Sequence, residues 1–352
     1  MRESRPRGGE GWPGAHRVAL AGLLVLGAAC SSEVPAPPLE GRALFVRERA
    51  GTVATAWIDL ATGATGDLLA GAFPAAPDPL GKVALLVQSE DPPEGHRERL
   101  CTMPLPPAAG PCTALAPDAE FVRNPVWSAD GAFVVYESSA ASFRDLWRVA
   151  REGGEAHRLT DAAHGSFDPA LSPDGSWLLF ASSRDGDLEL YRQPLGGGAA
   201  ERLTTEAGDD RSPAFRPDGA RIAYLSTRGP TTAVTTSLPD GGDASRLSPL
   251  TDGAVALSWS PDGRRLAVIV AGEGGAELLL IDAVRGLRLG SVPAIAANAP
   301  PAWTRGGDAA LYAAPVEGRT LLHTVGADGV GARVLTTGAG ADWLPRVSAP
   351  CP

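Results

Sequence analysis

Apolar residues along the chain come in short runs separated by turn residues, and nowhere do they recur at helical spacing. FVVYES (133–138), WLLFAS (177–182), RIAYLS (221–226), RLAVIV (265–270) and AALYAA (309–314) each follow a turn built on glycine. The second glycine-containing turn position falls at Gly131, Gly175, Gly219, Gly263 and Gly307, a strict interval of 44 residues. Six positions earlier stand Pro125, Pro169, Pro213, Leu257 and Pro301, with Pro345 one period further on. Between them lie WSAD, LSPD, FRPD, WSPD and WTRG, where proline presets φ and glycine accepts φ > 0, so each predicts a tight turn. One position of the run after the turn is an apolar column, Tyr136, Phe180, Tyr224, Val268 and Tyr312, as a strand with one buried face requires.

Each unit then repeats one plan. A short strand such as Pro213–Phe215 precedes the turn, and the apolar strand follows it. A third strand (DLWRVA, DLELYRQ, AELLLID) places Trp147, Tyr191 and, three periods further on through positions 235 and 279, His323 in one column, where a packing role is expected for the histidine. A fourth is marked by Arg158-Leu159-Thr160, Arg202-Leu203-Thr204 and Arg246-Leu247-Ser248. Four short antiparallel strands per ~40–45 residues is the arithmetic of a β-propeller blade. Complete units begin near Phe73, Phe121, Gly165, Asp209, Gly253 and Ala299. Ala43–Glu48, Thr55–Leu60 and Asp67–Leu69 match strands two to four of a further unit, and Ala341–Ser348 matches its missing first strand. The reading is therefore all-β: a seven-bladed propeller over residues 41–352, closed by pairing of its N- and C-terminal strands.

The first 29 residues read as a secretion signal, with Arg2, Arg5, Arg7 and Arg17 ahead of the apolar run Val18–Leu26. That run is too short to span a ~30 Å hydrocarbon core as a helix. Gly27-Ala28-Ala29 leads into Cys30 in a pattern that resembles a lipobox, so Cys30 is expected to be acylated and residues 30–40 to form a lipid-anchored tether. The net charge of −10 and a single lysine, Lys82, argue against binding a phosphate backbone, so no nucleic-acid partner is expected. Cys101 and Cys112 flank the turn Pro104–Pro111 and are expected to pair as a disulfide across a hairpin, the alternative being two buried thiols; Cys351 is left odd.

The stretch from Arg158 to Thr204, RLT…PALSPDGSWLLFASSRDGDLELYRQPLGGGAAERLT, resembles the propeller repeat of the TolB-like family. The likeness covers roughly 41–352 and is strongest from 121 to 263. It implies an extracytoplasmic place of work in the bacterial envelope, on the periplasmic side or the cell surface.

Catalytic motifs do not appear. There is no GxSxG or SxxK, no helical HxxxH, and Gly272-Glu273-Gly274-Gly275 lacks the third glycine of a dinucleotide cradle. Asp185-Gly186-Asp187 has oxygen ligands at calcium-like spacing but sits in the ordinary turn before a third strand. No catalytic residue, metal or cofactor is assigned. What varies from unit to unit is the loop entering each first strand: EFVRN, AHGSFD, GDDRS, TDGAVA, AANAP and GADW. On a rigid repeat only such differences create an asymmetric site. Arg123, His164, Asp168, Asp209, Arg211, Asp342 and Trp343 are accordingly the candidate ligand-binding face, at the channel mouth. The function expected is a non-catalytic binding or scaffolding module for an envelope protein, peptide or glycan, with membrane contact through acylated Cys30 only. The alternative is a propeller enzyme, a glycan lyase or hydrolase, with its site at that mouth.

Overall fold

The computed structural model describes residues 41–352 except 80, 91–96, 107–109, 117–118, 120, 140–142, 274, 297–299, 337–340 and 348–352. The expected signal peptide and tether, with Cys30, and Cys351 lie outside the described residues. The repeating runs fold into seven four-stranded antiparallel sheets, and no described residue is helical. Blades 1 to 6 span 72–114, 123–158, 166–202, 210–246, 254–295 and 302–334. Blade 7 is composite: its inner strand is Ala341–Val347 and its other three are Arg42–Arg49, Thr52–Asp59 and Thr65–Ala70. Ala43 pairs with Val347 and Glu48 with Ala341, which is the closure expected from the two incomplete ends. The seven inner strands touch one another in cyclic order around a central axis.

The Pro-Asp-Gly turns are stabilised by their own aspartates. Asp174 Oδ1 accepts from Ser172 Oγ at 2.6 Å and from Ser176 N at 3.0 Å, while Gly175 takes the left-handed φ of 69°. Asp130 and Asp262 make the same bonds with Ser128 and Ser260. The hydroxyl of Ser128 holds the Asp130 carboxyl below the ordinary carboxylate range, and that of Ser172 does so for Asp174.

Burial of the apolar columns joins the blades. Tyr136, Phe180, Tyr224, Val268 and Tyr312 are all buried. Phe180 stacks on Tyr191 at 5.8 Å and packs with Val135 and Leu146 of blade 2. His323 stacks in the same way on Tyr312 at 5.3 Å, so the histidine in that column is a packing residue. The Arg-Leu-Thr motif also finds its reason. The outer strands of blades 2 and 3 are only two residues long, His157–Arg158 and Glu201–Arg202. Thr160 and Thr204 then extend them with their hydroxyls, accepting from Leu146 N (3.0 Å) and Leu190 N (2.8 Å). The motif arginines pair with fully buried acids of the third strand, Arg158 with Asp145 and Arg202 with Glu189. Blade 5 lacks the motif, and its outer strand runs nine residues, Leu287–Ile295. In blade 1, Cys101 and Cys112 form a disulfide with Cα atoms 5.6 Å apart.

Candidate binding face at the channel mouth

The column of prolines seen in the sequence marks a bulge. In blades 2, 3 and 4 the inner strand slips register between Arg123 and Val126, Phe167 and Ala170, and Arg211 and Ala214. Proline has no N–H to give the ladder, and the residue before it takes up the kink. Those residues are Asn124, Asp168 and Ser212, at φ 44°, 53° and 53°. Asparagine and aspartate tolerate this left-handed region better than other side-chain-bearing residues.

The bulges let the three side chains reach sideways from blade to blade. Asn124 Nδ2 donates to Asp168 Oδ1 at 3.1 Å, and Ser212 donates from both N and Oγ to Asp168 Oδ2 at 3.0 Å. Behind them lies Glu137, from the second strand of blade 2, which is fully buried. Its Oε1 accepts from Asn124 Nδ2 (2.7 Å) and Asp168 N (2.8 Å), and its Oε2 from Arg144 Nη1 (3.1 Å). Burial pushes the Glu137 carboxyl above its ordinary range, and the Asp168 charge adds to that; the donated hydrogen bonds and Arg144 act the other way.

The result is a polar crescent across blades 2 to 4. Further round the ring the same 44-residue position is Ala256, Pro300 and Leu344. One position earlier the series reads Arg123, Phe167, Arg211, Val255, Ala299 and Trp343, so the arginines stand beside the polar arc and only apolar residues follow it. In its sequence the mouth is thus chemically two-sided.

The sequence-assigned residues divide accordingly. Asp168 is the centre of the crescent. Arg123 pairs with the buried Glu98 of blade 1 and donates to Val122 O at 2.9 Å. Arg211 is half-buried on the inner strand of blade 4, beside Ser212. His164 is exposed at φ 72° with its ring 5.8 Å from that of Phe143, and takes no part in the crescent. Asp209 ties its loop to the turn before the third strand of blade 3, accepting from Leu188 N at 3.1 Å. Its neighbour Asp210 is buried and held by Arg228 through two contacts of 3.0 Å. Asp342 and Trp343, whose side chains lie outside the description, pair through the backbone with Arg47 and Val46. Sequence reasoning missed Glu137, Ser212 and Arg144. The one available signal was that Glu137 is the charged member of a column otherwise made of Ala181, Leu225, Ile269 and Ala313.

Both oxygens of Asp168 and both of Glu137 carry hydrogen-bond donors, an arrangement that fixes shape and charge at the mouth. Among the described residues no group of three or more His, Cys, Asp or Glu is placed to hold a metal ion.

Comparison with known proteins places this architecture. TolB from Acinetobacter baumannii superposes with a TM-score of 0.59 at 18% identity, covering 88% of this chain and 82% of that one. An oligogalacturonate lyase from Vibrio parahaemolyticus gives 0.61 at 13% identity, covering 85% of each chain. Hydrazine synthase from Kuenenia stuttgartiensis gives 0.60 at 15%, covering 80% of this chain and 91% of that one. Identities this low establish a shared fold and nothing about activity. No curated protein sequence matches the chain. The family model of the TolB β-propeller domain, however, matches residues 112–348, well over half of the sequence, and the chain belongs to that family.

Proposed function

We propose that this protein is a non-catalytic binding module of the bacterial cell envelope, anchored outside the cytoplasm through acylated Cys30, which presents the two-sided channel mouth to an envelope protein, peptide or glycan. The observation that carries this reading is the crescent Asn124–Asp168–Ser212, confined to three consecutive blades and backed by Glu137. It gives a ring of near-identical units one distinct direction, which recognition needs. Every oxygen of its two carboxylates already accepts a hydrogen bond within the protein, which favours a structural and binding role over proton transfer.

The test is affinity capture from the envelope, followed by measurement with the captured partner. Arg211→Ala and Trp343→Ala should weaken binding, by about 2 kcal/mol for a central anchor. Asp174→Asn, in a turn on the opposite face, should leave it unchanged. The reverse pattern places the site on the turn face and refutes the reading. Cys30→Ser should move the protein from the membrane to the soluble fraction without changing its fold; unchanged partitioning refutes the anchor. Appearance of unsaturated uronate product from oligogalacturonate, abolished by Glu137→Gln, would establish the lyase alternative instead.

A further inference from the structure

Where six blades have a turn between inner and second strands, blade 7 has two chain segments meeting, Val347 opposite Ala43. Around that face four of the turns pack closely on the turn before, at Gly131, Gly219, Gly263 and Gly307. A Cβ built on Gly219 would lie 3.6 Å from Pro173, one on Gly263 3.6 Å from Pro217, and one on Gly307 3.3 Å from Pro261. In blade 6 the proline position is Arg305, and the glycine it approaches is Gly41, 3.9 Å from the Arg305 Cβ by the same construction. Beside this contact lies a hollow of about 240 Å³, lined among others by Gly41, Arg42, Asp59, Pro77, Leu105 and Arg305.

The charges around the hollow do not balance. Arg42 lies over the Trp57 ring at 5.8 Å, donates to Pro106 O, and has Nε 3.8 Å from Asp59 Oδ2. Asp59 is largely committed to its own turn, with Oδ1 accepting from Ala61 N (3.2 Å), Thr62 N and Thr62 Oγ1 (2.9 Å each). Arg305 is exposed and makes no ion pair with a described residue. Among the described residues that line the hollow, two guanidinium groups therefore accompany one carboxylate, an excess of positive charge in a chain of net charge −10. Ligand pockets for whole small molecules are typically ~300–1,000 Å³. A smaller hollow flanked by arginines suits one compact oxyanion, which guanidinium forks bind with two parallel hydrogen bonds.

We propose that the hollow at the seam of the ring is a phosphate-oxyanion site formed by Arg42 and Arg305, filled by free phosphate or by the phosphate of an anionic lipid headgroup. The lipid source, unlike the site, rests on the anchoring reading: the described chain enters the ring at Gly41 on this same face.

The test uses the full chain carrying Cys30→Ser, so that acylation does not contribute. Inorganic phosphate is titrated calorimetrically, and sedimentation is measured with phosphatidylglycerol and phosphatidylcholine vesicles. Phosphate should bind at millimolar concentration or below, and Arg305→Gln should weaken it at least ~10-fold with no change in melting temperature, since that guanidinium makes no ion pair with a described residue. Arg42→Gln should weaken it as well. Retention on phosphatidylglycerol but not phosphatidylcholine, lost in Arg305→Gln, identifies the lipid; phosphate binding without vesicle binding identifies the free ion. No phosphate binding in the millimolar range, or equal binding by Arg305→Gln, overturns the proposal.

Discussion

Replacing Asp168 tests whether the crescent holds blades 2, 3 and 4 together. Asp168→Ala removes three hydrogen bonds, from Asn124 Nδ2, Ser212 N and Ser212 Oγ, all at 3.0–3.1 Å. Bonds to a charged acceptor contribute about 1.5 kcal/mol or more each, and partial exposure at the mouth lowers this to about 1, so the three amount to about 3 kcal/mol. Alanine must also adopt the φ of 53° found there. That adds about 1 kcal/mol, partly offset by relief of Glu137, which no longer faces a second carboxylate. The expected loss is about 3.5 kcal/mol, or a fall of about 7 °C in Tm at roughly 2 °C per kcal/mol for a domain of this size. Asp168→Gly loses the same bonds without the backbone strain. After its own entropic cost of about 0.5 kcal/mol it should melt about 1 °C above Asp168→Ala. Differential scanning calorimetry of the two variants beside the parent decides the matter. An Asp168→Ala protein that melts with the parent would show that the crescent contributes nothing to the ring. A glycine variant that melts below the alanine one would refute the strained-bulge account.

Two further outcomes follow from features of the ring. Burial holds the His323 imidazole below its ordinary value, against a hydrogen bond to Ala314 that acts the other way. The unfolded histidine then takes its proton first, so stability is full above its unfolded pKa of ~6.5 and falls with pH until the lowered folded value is passed. His323→Phe keeps a ring on Tyr312 and should flatten the Tm-versus-pH curve as pH falls below the unfolded value of ~6.5; an unchanged slope would mean the histidine contributes no pH dependence. Deleting residues 341–352 removes the inner strand of blade 7 and leaves an open edge along Arg42–Arg49, so aggregation by light scattering or a large drop in Tm is expected. A deletion variant that melts like the full chain would contradict closure by the two chain ends.

The architecture was legible in the sequence because each blade repeats its own instructions. The turn glycines and the Tyr136-to-Tyr312 column lie at one interval across blades 2 to 6, and the motif arginines mark blades 2 to 4 at the same spacing. The incomplete ends were legible for the same reason, since each lacks what the other supplies. The crescent was not, although Asn124, Asp168 and Ser212 obey the same interval. Three different residue types at one position look like ordinary loop variation until a bulge turns each towards its neighbour. Glu137 was hidden within FVVYES, a string that reads as a plain strand, and its link to Arg144 crosses residues with no repeat. The proline column is visible in the sequence as a member of the turn unit, and its second role, marking the kink that aims the mouth residues, depends on the bulged pairing. Neighbourhood across a ring depends on curvature, and periodicity alone does not specify it.

The composite blade also decides how the ring bears mechanical load. Any tension delivered from the N-terminal side enters at Gly41 and passes into Arg42–Arg49, which is an interior strand of its sheet. Eight residue pairs tie that strand to Thr52–Asp59 on one side, and five tie it to Ala341–Val347 on the other. Hydrogen bonds of an antiparallel ladder run perpendicular to the strands. A pull along the strand from its first residue must therefore shear both ladders at once, where a pull on an outer edge would open one ladder a bond at a time. A propeller whose first described strand lay at the rim would peel under such a force. In this one the force is carried into the blade that also fastens the circle, so the join in the ring is its strong point under tension.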